Sequence, residues 1–179
     1  MSFFHHSNLS WQPFRLIREA LPADIKDLLL DRGSLTEKLK KKYRDAFTVS
    51  VIRHSWAKPS LSEQQFLGNN DSEFSIREVL LICGGRPRVF ARSVFPRCSV
   101  NGPNEGLLKL GNKPLGEFLF SHINLTRGAI ELAKLPASQF NKHLGYQYTD
   151  ETTWGRRSLL HLNDKPISVC EFFLPEPKQ

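Results

Sequence analysis

The stretch FSIREVLLICGGRPRVFARSVFP, residues 74–96, decides how the chain folds. Residues 74–83 and 88–96 are rich in β-branched and aromatic side chains and flank the turn-forming GGRP, so they predict a β-hairpin. A second hairpin is predicted near the C-terminus, where SLLHL (158–162) and KPISVCEFFLP (165–175) flank Asn163-Asp164. FTVSVIRHSW (47–56) alternates and adds another strand.

Working outward, two helices are expected before the first hairpin. PADIKDLLLDRG (22–33) carries Ile25, Leu28 and Leu29, with Gly33 placed to end it. SLTE follows, and the Ser34/Glu37 spacing is that of a capping box starting a second helix near Leu35. Between the hairpins, NEGLLKLG (104–111) and KPLGEFLF (113–120) read as helical, with Pro114 near the first turn of the latter. RGAIELAKL (127–135) fits either helix or strand. About six antiparallel strands with a few helices predict a single α+β domain over residues 1–179, the first 20 residues being poorly defined.

A chain of 179 residues is long enough to bury a real core, and 40% apolar residues is ordinary for a globular protein. No apolar run approaches the roughly 20 residues that cross a bilayer, and the N-terminus lacks the pattern of a secretory signal. Three widely spaced cysteines without a CxxC pair argue against a disulfide framework and a zinc site, and predict a cytoplasmic protein. The six histidines show no metal-binding spacing, so no metal is expected. Net charge is +7, which favours anionic partners. The densest basic run, KLKKKYRD (38–45), fits a solvated helix face over an apolar Leu35, Leu39, Tyr43 stripe, and no motif for nucleic-acid binding accompanies it.

Several charges fall where apolar residues are expected. Side chains alternate along a strand, so Glu171 shares its face with Ile167, Val169 and Phe173. Arg77 shares one with Val79 and Leu81, Glu78 another with Ile76 and Leu80, and Arg92 lies between Phe90 and Val94. Any one of these taken alone is better explained by a misread strand parity, an exposed edge or a structural ion pair. Together they suggest a pocket lined by the sheet, with arginine for a carboxylate and glutamate for a hydroxyl. The helix starts at Leu35 and Leu115 add backbone N–H groups that lack intrahelical acceptors and can meet an anion, although from sequence alone ordinary starts capped by Ser34 or water are the favoured reading. WGRRS (154–158) fits an anion site or a strand with exposed arginines.

The segments GSLTEKL, IREVLL, ARSVFP, LLKLGNKPLGEFLF, LTR, WGRRS and EFFLP, in this order over residues 25–175, resemble the chorismate lyase (chorismate–pyruvate lyase) family. The resemblance implies a six-stranded antiparallel sheet with helices folded over one face as flaps above an internal site. It implies conversion of chorismate to 4-hydroxybenzoate and pyruvate, the first step toward ubiquinone, without metal or organic cofactor. It further implies that Arg77 and the backbone amides of Leu35 and Leu115 hold the aromatic carboxylate, and that Glu171 meets the hydroxyl. Arg77 and Glu171 are thus the expected catalytic residues, and Arg92 is a candidate for the enolpyruvyl carboxylate. Slow product release, and with it product inhibition, is expected from flaps over a buried site. The stretch 136–153 is longer than the family's usual connection, and the family often has another apolar residue at Leu35. A monomer with no nucleic-acid partner is expected. The competing reading is a non-catalytic domain of the same fold that binds a 4-hydroxybenzoate-like effector. Such sensors carry an N-terminal DNA-binding domain, and about 20 residues precede the first predicted helix here.

Overall fold

A computed structural model describes residues 9–17, 19, 21–44 and 46–177. Its framework is an antiparallel sheet in the order β1-β5-β6-β7-β4-β3-β2. The strands are β1 (Gln12–Pro13), β2 (Phe47–Trp56), β3 (Phe74–Cys83), β4 (Arg86–Pro96), β5 (Leu125–Pro136), β6 (Thr152–Leu162) and β7 (Lys165–Phe173). The helices are α1 (Lys26–Leu30), α2 (Leu35–Tyr43), α3 (Leu61–Leu67), α4 (Leu115–Phe120) and α5 (Asn141–Leu144).

Both predicted hairpins form around two-residue turns. Cys83 pairs with Arg86 across Gly84-Gly85, and Leu162 with Lys165 across Asn163-Asp164. All four turn residues have positive φ, as a turn matched to the twist of its strands requires. The first turn is therefore shorter than GGRP, because Arg86 and Pro87 already belong to β4. A register shift falls where Pro87 meets Ile82, which suits a residue with no N–H to donate.

Four expectations are corrected. The sheet has seven strands, not six, because Gln12–Pro13 pairs with the outer edge of β5. That strand lies inside the segment expected to be poorly defined, much of which (1–8, 18 and 20) is outside the described residues. The first helix ends at Leu30, three residues before Gly33. At α2, Ser34 Oγ accepts from the Glu37 N–H, whereas the complete reciprocal capping box occurs at α3, between Ser60 and Glu63. Residues Gly102–Lys109 form a 3-10 helix. The ambiguous 127–135 segment is strand, because β6 offers it a full antiparallel partner.

Helices cover both faces of the sheet, not one. On the first face, Leu28, Leu29, Leu35 and Leu39 pack on Val79, Leu81, Ala91 and Phe173. Beside them Leu107, Leu115 and Leu119 pack on Phe95, Leu160 and Val169. On the far face, the stretch 136–153 supplies Phe140 and Tyr148, which bury Leu80, Phe90 and Phe172. Leu67 of α3 covers Ile76 and Val94. This explains why nine of the ten residues of β3 are buried.

Candidate active site

Strand alternation sends Arg77, Val79, Leu81, Ala91, Ser93, Val169 and Glu171 to the first face. There they line a pocket roofed by Leu35 and Thr36 of α2 and by Leu115, Gly116, Leu119 and Phe120 of α4. Arg127 completes the wall. The cavity has about 510 Å³ of unfilled space, counting the part open to solvent. Its roof depends on a glycine: a Cβ on Gly116 would lie 3.2 Å from both Ser34 Oγ and Thr36 Oγ1. The starts of α2 and α4 can therefore converge above the same cavity.

Arg77 is 2% exposed, and among the described residues it has no carboxylate partner within salt-bridge distance. One terminal nitrogen donates to the carbonyls of Gly111 (3.0 Å) and Lys113 (2.9 Å), just before α4. Its Nε is buried without a partner. Burial lowers the guanidinium pKa to about 10, which still leaves it cationic at neutral pH. A buried cation held only by carbonyl dipoles favours an anionic ligand.

Glu171 is 8% exposed and lies on the same face. Two strand spacings and two residues separate its Cα from that of Arg77, about 12 Å by strand geometry. Arg156 Nε donates to Glu171 Oε2 at 2.6 Å. Another nitrogen of Arg156 donates to the carbonyls of Leu28 and Asp31, so it also ties down the loop between α1 and α2. On the other face, the neighbouring Gly155 leaves room for a ring: a Cβ there would lie 2.4 Å from Phe172.

Arg92 does not reach this pocket. Its partner in register is Glu78, one residue out of step with the Arg77–Ser93 pair, so it points to the far face. There Glu63 accepts from its Nε at 2.6 Å and from a second nitrogen at 3.0 Å, and Glu78 accepts from the third. Burial alone would lower the Arg92 pKa, but the hydrogen bonds and charges of the two glutamates raise it. Arg92 is part of a structural ion cluster, and its assignment to the enolpyruvyl carboxylate is withdrawn.

Two arginines of the site escaped sequence reasoning. Arg156 lay within WGRRS, where two adjacent arginines gave no sign of which was buried. It is 2% exposed, whereas Arg157 turns to the far side, pairs with Glu131 and stacks on Phe66 at 4.0 Å. Arg127 was hidden by the helix-or-strand ambiguity. A bulge between Arg127 and Ile130 inserts one extra residue opposite Leu159, which turns Arg127 onto the pocket face.

The family model described as chorismate lyase matches residues 5–178. The chain belongs to the chorismate lyase family. It is 36% identical over 160 residues to a probable chorismate pyruvate-lyase of Thiobacillus denitrificans, covering 86% of this chain and 84% of that protein. It is 35% identical over 169 residues to the chorismate pyruvate-lyase of Pectobacterium carotovorum, covering 94% and 85%. The lyase-family fold recurs in solved structures of low sequence identity. PhnF from Mycobacterium smegmatis matches with a TM-score of 0.59 at 15% identity, over 81% of this chain and 65% of that one. The effector binding domain of the Bacillus subtilis trehalose repressor matches with a TM-score of 0.53 at 13% identity, over 70% and 89%.

Proposed function

We propose that the protein is a cofactor-independent lyase that converts chorismate to 4-hydroxybenzoate and pyruvate, as the first step toward ubiquinone. The observation that carries this reading, beyond family membership, is a buried arginine without an acid partner facing a buried glutamate across one cavity.

Arg77, assisted by the N–H groups of Leu35 and Leu115 at two helix starts, holds the ring carboxylate. Glu171, oriented by Arg156, accepts a hydrogen bond from the C4 hydroxyl through its other oxygen. The ring is thereby fixed at both ends. In the reaction the C3–O ether bond breaks, the C4 hydrogen leaves and the ring aromatises. The enolpyruvate released is protonated at its methylene to give pyruvate. Aromatisation makes the step downhill, so positioning contributes more than strong acid–base groups. The α2 and α4 starts act as flaps that exclude water and slow product release. In this reading the protein acts as a monomer in the cytoplasm.

Incubating the purified, folded protein with chorismate and following ultraviolet absorbance should show 4-hydroxybenzoate appearing. No turnover would sink the lyase reading, and tight 4-hydroxybenzoate binding without turnover would support the effector-binding domain instead.

A further inference from the structure

Chorismate is a dianion, with one carboxylate on the ring and one on the enolpyruvyl group. The pocket walls contain two arginines with no carboxylate within salt-bridge distance among the described residues, Arg77 and Arg127. Glu171 is paired with Arg156 at 2.6 Å; its charge reaches Arg127 as well, but it forms no ion pair with Arg127 or Arg77 among the described residues. Two cations without an ion-pair partner among the described residues and two substrate anions thus correspond one to one.

The positions correspond as well. With C1 at Arg77 and the C4 hydroxyl at Glu171, the substituent on C3 leaves the ring beside that hydroxyl. Arg127 on β5 and Arg77 on β3 flank β7, and it is Arg127 whose guanidinium feels the charge of Glu171. Among the described residues, the Arg127 guanidinium donates hydrogen bonds only to carbonyls of the α1–α2 loop, Asp31 at 3.3 Å and Gly33 at 3.4 Å, both through one nitrogen. Its Nε is buried without a partner, and its guanidinium sits 5.5 Å from the ring centre of Phe120, another pocket residue. Burial is the main influence on Arg127 and lowers its pKa, and the charges of Glu171 and Asp31, which act the other way, do not offset it.

We propose that Arg127 binds the enolpyruvyl carboxylate of chorismate, and so distinguishes substrate from product. The proposal rests on the reading of Arg77 and Glu171 given above. Its consequence is asymmetric: 4-hydroxybenzoate, which has lost the second carboxylate, makes no use of Arg127, whereas chorismate does.

The Arg127→Met variant keeps the unbranched apolar stem of the side chain and removes its charge. Its kcat/KM for chorismate should fall roughly 10- to 150-fold, the range for losing a charged hydrogen bond. Its Kd for 4-hydroxybenzoate, measured by calorimetry, should stay within about threefold of the parent. A two-carboxylate probe, 3-carboxymethoxy-4-hydroxybenzoate, should lose affinity in this variant, and Arg127→Lys should recover part of that loss. Equal losses for 4-hydroxybenzoate and the two-carboxylate probe would overturn the proposal, leaving Arg127 as a clasp on the 28–33 loop. Unchanged kcat/KM would also overturn it. The site reading fails separately: Arg77→Ala leaving 4-hydroxybenzoate affinity intact would refute that reading, even if Arg127→Met still discriminated against the second carboxylate.

Discussion

At the scale of single residues, the site is defined by how each charge is compensated. Arg92 has Glu63 and Glu78, Arg156 has Glu171, and among the described residues Arg77 has only the Gly111 and Lys113 carbonyls. A buried guanidinium so placed gains most from a carboxylate that arrives with the ligand. Arg77→Ala should therefore weaken 4-hydroxybenzoate binding by more than about 1.5 kcal/mol, the lower end for a charged hydrogen bond. Calorimetry reads this directly, and an unchanged Kd would remove Arg77 from the site. Sequence periodicity marked Arg77, Glu78, Arg92 and Glu171 as misfits alike. It could not divide them, because the division depends on which pairs face each other across strands.

At the scale of elements, small departures from regular geometry aim the functional groups. The β5 bulge turns Arg127 into the cavity, and a bulge in β2 between Val51 and Arg53 brings His54 opposite Arg77. Gly155 is a third such device, because it lets β6 lie against Phe172. That ring is confined by Phe140 at 5.3 Å and Trp11 at 5.8 Å, so it has little room to yield. Gly155→Ala should cost about 1–3 kcal/mol by overpacking. Urea unfolding would register it as a lower midpoint, and an unaltered midpoint would mean that the ring moves freely. The turns Gly84-Gly85 and Asn163-Asp164 were legible because their chemistry is local. The bulges were not, since an inserted residue is defined only against the partner strand.

Across the whole molecule, the sheet separates a ligand face from a structural one. The long 136–153 stretch closes the structural face: Asn141 clasps Tyr148 through two hydrogen bonds, and His143 lies 3.3 Å from Glu78. Two ionisable groups give the fold a common response to acid. His54 has its pKa lowered, first by burial and then by Arg77, so protonation favours the unfolded chain. Burial would raise the Glu78 pKa, but His143 and Arg92 lower it on balance, so its stabilisation is also lost on protonation. Stability should be full above about pH 6.5, fall as His54 begins to bind its proton, and fall again below the ordinary carboxylate value of 4.5. Thermal unfolding across pH would follow both steps, and His54→Gln should abolish the first; an identical profile in that variant would assign the step elsewhere. What the sequence determined by itself was the strand alternation, the two hairpins, the helix starts and a family signature that singled out Arg77 and Glu171, all properties of neighbours along the chain. The tertiary structure alone decided the seventh strand, the two covered faces, the far-side burial of Arg92 and the arrival of Arg127 and Arg156. Each of those depends on which strand lies beside which, and charges are matched across strands rather than along them.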